Sequence, residues 1–263
     1  MIQLIATDMD GTFLDHEGSY DKVRFRRILN QLAKKNIQFA VASGRSYLAL
    51  ERLFAEFKDE IIFIAENGSL VMEKDVCHFE AVMTPELYLS IISRLGDSPF
   101  PCEAFLLSGR KAGYVLDTVS SNYLTFITRY YENVVQVSDF SEIDDDIFKI
   151  TANFSEDQVL DVANWLTQEI PGVTAMTTGF QSIDIIREDI DKETGLASLC
   201  QYFDLSPVHV LAFGDNLNDY RMLQFAGTAI ATANAREEVK QIADLVIGSC
   251  EAGAVQTYIE ENL

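Results

Sequence analysis

Four short polar clusters, each directly after an apolar run, are the places in this sequence where chemistry could be done. They are Asp8-Met9-Asp10-Gly11-Thr12, Ser43-Gly44-Arg45, Glu66-Asn67-Gly68 and Gly214-Asp215-Asn216-Leu217-Asn218-Asp219. A hydrophobic core has no use for such residues. At the carboxyl ends of parallel strands they would converge on the crevice where open α/β sheets bind ligands. Convergence would crowd Asp8, Asp10, Asp215 and Asp219, and unpaired carboxylates raise one another's pKa and destabilise a fold. A divalent cation removes that difficulty. A donor set of oxygens, with no His or Cys near, favours Mg2+ over Zn2+. Lys192, in Asp191-Lys192-Glu193-Thr194-Gly195-Leu196 at the approach to a helix, would bring a second positive charge. Metal and lysine together would make the crevice attractive to a phosphate group.

The Asp-x-Asp pair suits phosphoryl transfer. In a regular strand, side chains two positions apart share a face. One carboxylate can attack phosphorus while the other handles the leaving group's proton. Gly11 lets the chain turn sharply there. Ser43 offers a hydroxyl, and Gly44 lets backbone N–H groups approach a phosphoryl oxygen. Arg45 and Asn67 could touch substrate, although structural hydrogen bonding would account for them equally well. Each cluster alone has a plainer reading: a solvated acidic turn, a strand-to-helix turn, a helix cap or a surface lysine. Their order, and their common placement at element ends, argue for a shared site.

The elements that must position them follow from hydrophobic periodicity. Buried strands are expected over residues 2–7, 38–42 and 61–65. Helices are expected over 20–35, with Val23, Ile28, Leu29 and Leu32 on one face, and over 46–57. This β-α-β-α-β alternation predicts a parallel sheet with helices on both faces. Between residues 81 and 186 the pattern changes to helices near 85–95 and 156–169, with strand-like stretches at 114–116, 148–154 and 182–186. The first pattern then resumes: helix 194–203, strand 208–213, helix 216–225, strands 228–231 and 245–247, and a helix from 253. The expectation is an α/β protein. A doubly wound, Rossmann-like parallel-sheet core (1–81 and 187–263) is interrupted by an inserted α+β cap (82–186). His209, inside an apolar run, reads as a satisfied core residue. Trp165, with Val162 and Leu166, fits the apolar face of a cap helix.

Asp8-Met9-Asp10-Gly11-Thr12 resembles the first motif of the haloacid-dehalogenase-like phosphatases. Ser43 matches the second motif, Lys192 the third and Gly214-Asp215-Asn216-Leu217-Asn218-Asp219 the fourth. The long insertion between Ser43 and Lys192 resembles the large cap of the Cof-type branch. Met9, Phe13, Ala65-Glu66-Asn67-Gly68 and the stretch from Thr178-Gly179-Phe180 to Ile183-Asp184 look most like its bacterial sugar phosphatases. The resemblance implies Asp8 as nucleophile and Asp10 as acid–base group. It implies Mg2+ held by Asp8, the Asp10 backbone carbonyl and Asp215. It also implies phosphate binding by Ser43, Gly44, Lys192 and Asn218, with Asp219 orienting Lys192. One departure stands out: many Cof-type members have Lys-Gly at the third motif, and here Glu193 follows Lys192. In the cap, the glycine-containing turns at Arg110 and Gly179 are candidates for substrate contact.

Composition narrows the partners. A net charge of -21 argues against nucleic acid. No run of eighteen apolar residues predicts a membrane span, and the first residues read as a strand and not as a signal peptide, so a cytoplasmic location is expected. The cysteines, Cys77, Cys102, Cys200 and Cys250, form no C-x-x-C pair and read as reduced thiols. The expected partner is a small phosphorylated metabolite, and the oligomeric state is open. A sugar phosphotransferase or mutase would use the same aspartates. A signalling receiver needs about half this length and no inserted domain, and a non-catalytic acidic binding protein would not need Asp8.

Overall fold

The computed structural model describes residues 1–179 and 181–263. Along the chain run β1 (Leu4–Asp8), α1 (Lys22–Lys34), β2 (Gln38–Ala42), α2 (Tyr47–Leu53), β3 (Ile62–Ala65), β4 (Leu70–Glu73) and β5 (Val76–Glu80). Next come α3 (Pro85–Gly96), β6 (Ala104–Gly109), β7 (Gly113–Leu116), α4 (Ser121–Ile127), β8 (Val134–Val137), β9 (Ile147–Asn153), α5 (Val159–Glu169), β10 (Val173–Gly179) and β11 (Ser182–Arg187). The chain closes with α6 (Lys192–Tyr202), β12 (Val210–Gly214), α7 (Tyr220–Phe225), β13 (Thr228–Ala231), α8 (Glu237–Ile242), β14 (Leu245–Val246) and α9 (Ala254–Asn262). Two compact units form: Met1–Ser43, Phe54–Glu80 and Asp191–Leu263 make the first, and Gly44–Leu53 with Ala81–Ile190 the second.

The first unit holds an eight-stranded sheet in the order β14-β13-β12-β1-β2-β3-β4-β5. From β14 to β3 every pairing is parallel. The hairpin of β4 and β5 then adds an antiparallel edge. That hairpin escaped the sequence reading, because residues 70–80 carry no strict alternation. β1 is buried along its whole length, as a strand covered on both faces must be. Chain order reverses between β1 and β12, which places the site crevice at their carboxyl ends.

Helix α1 is capped by Asp21, whose carboxylate accepts from the Arg24 N–H at 2.9 Å. Its buried face is Phe25, Ile28, Leu29 and Leu32, and Val23 is 75% exposed. Val23 lies roughly 200° around the helix from Phe25, so the larger aromatic sets the phase. Phe25 joins Phe13 and Phe39 in an aromatic cluster, with Phe13 centroids at 5.2 and 5.9 Å. His209 also departs from expectation. Pro207 starts a 3₁₀ turn over Pro207–His209, the strand begins only at Val210, and the buried His209 Nδ1 has no partner among the described residues.

The second unit has a six-stranded sheet in the order β10-β11-β9-β6-β7-β8, antiparallel except for β7 with β8. Ile91 and Leu95 of α3 and Val162 and Leu166 of α5 pack on Ile147, Ile150, Ile183 and Ile185 of the sheet, with Trp165 half-buried at the edge. Strands β6, β8 and β10 and helix α4 were not anticipated. Among the described residues no helix is long and apolar enough to cross a membrane.

Candidate active site

Asp8 ends β1, and its carboxyl is buried in the first unit. After it the chain leaves the sheet. Phe13 N–H donates to the Asp8 carbonyl at 3.2 Å and Leu14 N–H to the Met9 carbonyl at 2.9 Å, which curls residues 8–14 into a tight loop. Phe13, 1% exposed, pins that loop into the aromatic cluster. The regular strand therefore stops before Asp10, and the two aspartates do not share a strand face. Asp8 is buried and Asp10 stands exposed on the turn. Gly11 makes the turn possible at φ +87°, and a Cβ there would lie 2.5 Å from Asp215 Oδ2.

Lys192 opens α6 rather than preceding it. Asp191 caps the helix by accepting from the Thr194 N–H at 3.0 Å, and the Thr194 side chain returns the bond to the Asp191 N–H. The Lys192 side chain is wholly buried, with Nζ 2.5 Å from Asp8 Oδ1 and 2.6 Å from Asp219 Oδ1. Glu193 resolves the departure at this motif. It turns outward to Arg221 at 2.9 Å, and the same guanidinium reaches Asp191 at 2.9 Å, so both neighbours of Lys192 are held from one side.

Asp219 lies in a 3₁₀ turn over Leu217–Asp219 just past β12. Its Oδ2 accepts the Asp215 and Asn216 N–H groups, each at 3.0 Å. With Oδ1 on Lys192, both of its oxygens are engaged. Asn218 is half-buried in the same turn. Asp215 accepts from the Thr12 hydroxyl at 2.8 Å.

Carboxylate oxygens of Asp8, Asp215 and Asp219 all lie within 4.8 Å of one another. With all three carboxylates ionised, one ammonium leaves two negative charges in a space that is buried at Asp8 and Asp219 and half-buried at Asp215. Burial pushes the Asp8 carboxyl well above the usual carboxylate range, and Asp219, Asp215 and Asp10 push the same way against the pull of Lys192. Burial, then the charge of Asp219, lifts Asp215 to about 6, although the Thr12 hydrogen bond resists. Burial would strip Lys192 of its proton, but Asp219 and Asp8 overcome it and hold the ammonium above the usual lysine range. The cluster thus fits a hard dication: its donors are oxygens, and its charge deficit is two. Because Asp219 is occupied by Lys192 and two N–H groups, Asp8 and Asp215 are the side chains left to hold a metal.

The remaining cluster of the first unit braces the others. Ser43, 1% exposed, donates its N–H to the Ile64 carbonyl at 2.9 Å and accepts the Asn67 N–H at 3.0 Å. Glu66, Asn67 and Gly68 are buried and take φ of 52°, 56° and 100° in succession. Left-handed geometry costs about 1–3 kcal/mol for each non-glycine residue, so the packing around this turn must hold it in place. Gly68 abuts the α6 cap so closely that a Cβ would fall 1.9 Å from the Asp191 carbonyl oxygen. One turn therefore touches both the Ser43 strand end and the peptide before Lys192.

A model of the haloacid dehalogenase-like hydrolase family matches residues 5–259. The chain belongs to that family. This hydrolase is 31% identical to the 5-amino-6-(5-phospho-D-ribitylamino)uracil phosphatase YbjI of Escherichia coli over 100% of this chain and 96% of that protein. It is 25% identical to the phosphatase of the same name, YitU, of Bacillus subtilis over 98% and 96%. Among solved structures it superposes on SMU.1108c of Streptococcus mutans with a TM-score of 0.92 and 32% identity, over 99% of this chain and 98% of that one. The large cap and mixed second sheet are those of the Cof-type branch. Neither named phosphatase is a sugar phosphatase, so the likeness holds for the family and its branch and not for a sugar substrate.

The hydrolase's other candidates lie in the second unit. Gly44 and the half-buried Arg45 precede α2. Arg110 bonds the Asp146 carboxylate at 3.0 Å and lies 5.2 Å over the Phe148 ring, a structural engagement within the cap. Gly179 pairs with Ser182 at the end of β10, and Phe180 lies outside the described residues. The sequence reading missed a buried cap pair. Lys149 Nζ lies 3.0 Å from Asp184 Oδ2, both under 5% exposed, and also donates to the Gly44 carbonyl. Thr151 donates to Asp184 Oδ1 at 2.7 Å. The available signal was a lysine flanked by Phe148 and Ile150 inside an apolar strand.

Proposed function

We propose that the chain is a magnesium-dependent phosphatase that hydrolyses a small phosphomonoester through a phospho-Asp8 intermediate. The observation that carries this reading is the Lys192 ammonium clamped between Asp8 and Asp219, in a cluster with two negative charges to spare. Magnesium, held by Asp8, the Asp10 backbone carbonyl and Asp215, would supply the remaining neutralisation for a transferring phosphoryl group. The Asp8 carboxylate attacks phosphorus in line with the ester bond, which breaks as the new O–P bond forms. Asp10 gives its proton to the departing oxygen. Asp10, now a carboxylate, takes a proton from the water that attacks phospho-Asp8, releasing phosphate and restoring both aspartates. Lys192, Ser43 and Asn218 hold the phosphoryl oxygens, and Asp219 keeps Lys192 aimed at them.

For the substrate, the relatives' names point to a primary phosphate on a small polyhydroxylated skeleton. That class includes both sugar phosphates and the 5-phospho-ribityl chain named for the Escherichia coli and Bacillus subtilis phosphatases. A phosphate-release assay with 5-amino-6-(5-phospho-D-ribitylamino)uracil, a hexose 6-phosphate and p-nitrophenyl phosphate tests it. Turnover should require Mg2+ and vanish in Asp8→Asn with the fold retained. Equal rates in Mg2+ and in EDTA, or an active Asp8→Asn, would refute the reading.

A further inference from the structure

We infer that Asn234 is a positioning residue for Asp10, an inference that rests on the acid–base reading of Asp10. Asp10 is exposed on the turn, and where its carboxyl lies depends on the backbone that carries it. That backbone is held at the Gly11–Thr12 peptide. Asn234 Nδ2 donates to the Gly11 carbonyl at 2.7 Å, and the Thr232 hydroxyl donates to the same oxygen at 3.3 Å. On the other side, the Thr12 hydroxyl is fixed on Asp215 at 2.8 Å. Asn234 is itself anchored, because its Oδ1 accepts the Cys250 N–H at 3.0 Å. With a donor partner at one end and an acceptor partner at the other, its amide has one orientation. Gly11, at φ +87° and in close approach to Asp215, has no side chain to limit the freedom of its peptide. Asn234 removes that freedom directly after the acid–base residue.

A displaced general acid has a kinetic signature that a merely structural change lacks. It harms esters with poor leaving groups and spares activated aryl esters, whose oxygen departs without a proton. Asn234→Ala and the isosteric Asn234→Asp should be compared with wild type and Asp10→Asn, on ribitol 5-phosphate and p-nitrophenyl phosphate. In Asn234→Asp one oxygen still accepts from Cys250, but the other faces the Gly11 carbonyl and repels it. Both variants should lose about 10- to 100-fold in kcat on ribitol 5-phosphate. On p-nitrophenyl phosphate they should stay within about threefold, with KM on both substrates held as closely. If Asp10→Asn is selective for the poor leaving group but the Asn234 variants lose equally on both substrates, or raise only KM, the inference is overturned. If wild type hydrolyses neither ester, or Asp10→Asn loses equally on both, the parent reading falls and takes this one with it.

Discussion

Replacing Asp215 with asparagine should stabilise the metal-free protein while destroying its activity. Asp215 is ordinarily a group of pKa 3.8, and in the fold it is lifted to about 6, first by burial and then by Asp219. Holding its proton more tightly folded than unfolded favours the fold below pH 3.8, and this advantage is lost as pH climbs through 6. At neutral pH the ionised group is thus a net cost to the metal-free fold. The interval corresponds to roughly 3 kcal/mol. Because Asp215 is part-exposed and part of its shift is repulsion by Asp219, about 1–3 kcal/mol is the working range. The asparagine is uncharged, and its amide oxygen still accepts from Thr12, so the variant escapes this cost without losing the bond. By calorimetry in EDTA at pH 7.5, its Tm should exceed that of wild type by about 2–8 °C. The gap should shrink as pH falls toward 4.5, where wild-type Asp215 regains its proton. Mg2+ at a hundredfold excess over Kd should stabilise wild type by about 2.7 kcal/mol, raising its Tm, and leave the variant unmoved. A variant no more stable than wild type in EDTA at neutral pH, or a gap independent of pH, would refute the account of this cluster.

Two further outcomes follow from packing. Gly68→Ala drives a methyl into the Asp191 carbonyl at 1.9 Å, so the start of α6 must shift and carry Lys192 with it. Steady-state kinetics should show a kcat loss near 100-fold, and a wild-type rate would mean the turn plays no part in aiming Lys192. In the second unit, Lys149→Met takes the ammonium away from the buried Asp184 carboxylate and should cost about 3–5 kcal/mol. Adding Asp184→Leu should restore much of that loss in a denaturation double-mutant cycle, and additive losses would show that the two groups are not coupled.

Much of the candidate site was legible before any fold was known. Asp8, Ser43, Lys192, Asp215 and Asp219 each follow an apolar run or open a helix, and those local patterns survive in β1, β2, α6 and β12. Apolar runs of that length bury themselves whatever their neighbours, so the alternating order of core strands and helices could be read directly. Val23 shows where local reading ends: two apolar residues competed for one helix face, and the rings of Phe13 and Phe39 decided for Phe25. His209 was placed in a strand because valines flank it, but Pro207 holds it in a turn.

The sequence by itself determined which residue types stand at which element ends, and so the class of chemistry. Only the tertiary structure decided what each of them bonds there. Asp219 is one more carboxylate of the cluster in the sequence, and folding gives its oxygens to Lys192 and two N–H groups. Asn234 and Lys149 have no motif to mark them, and their partners Gly11 and Asp184 lie far along the chain. The reason is physical: strand and helix patterns follow from contacts with near neighbours and with water, whereas a hydrogen bond between distant segments exists only once the sheet order has brought them together.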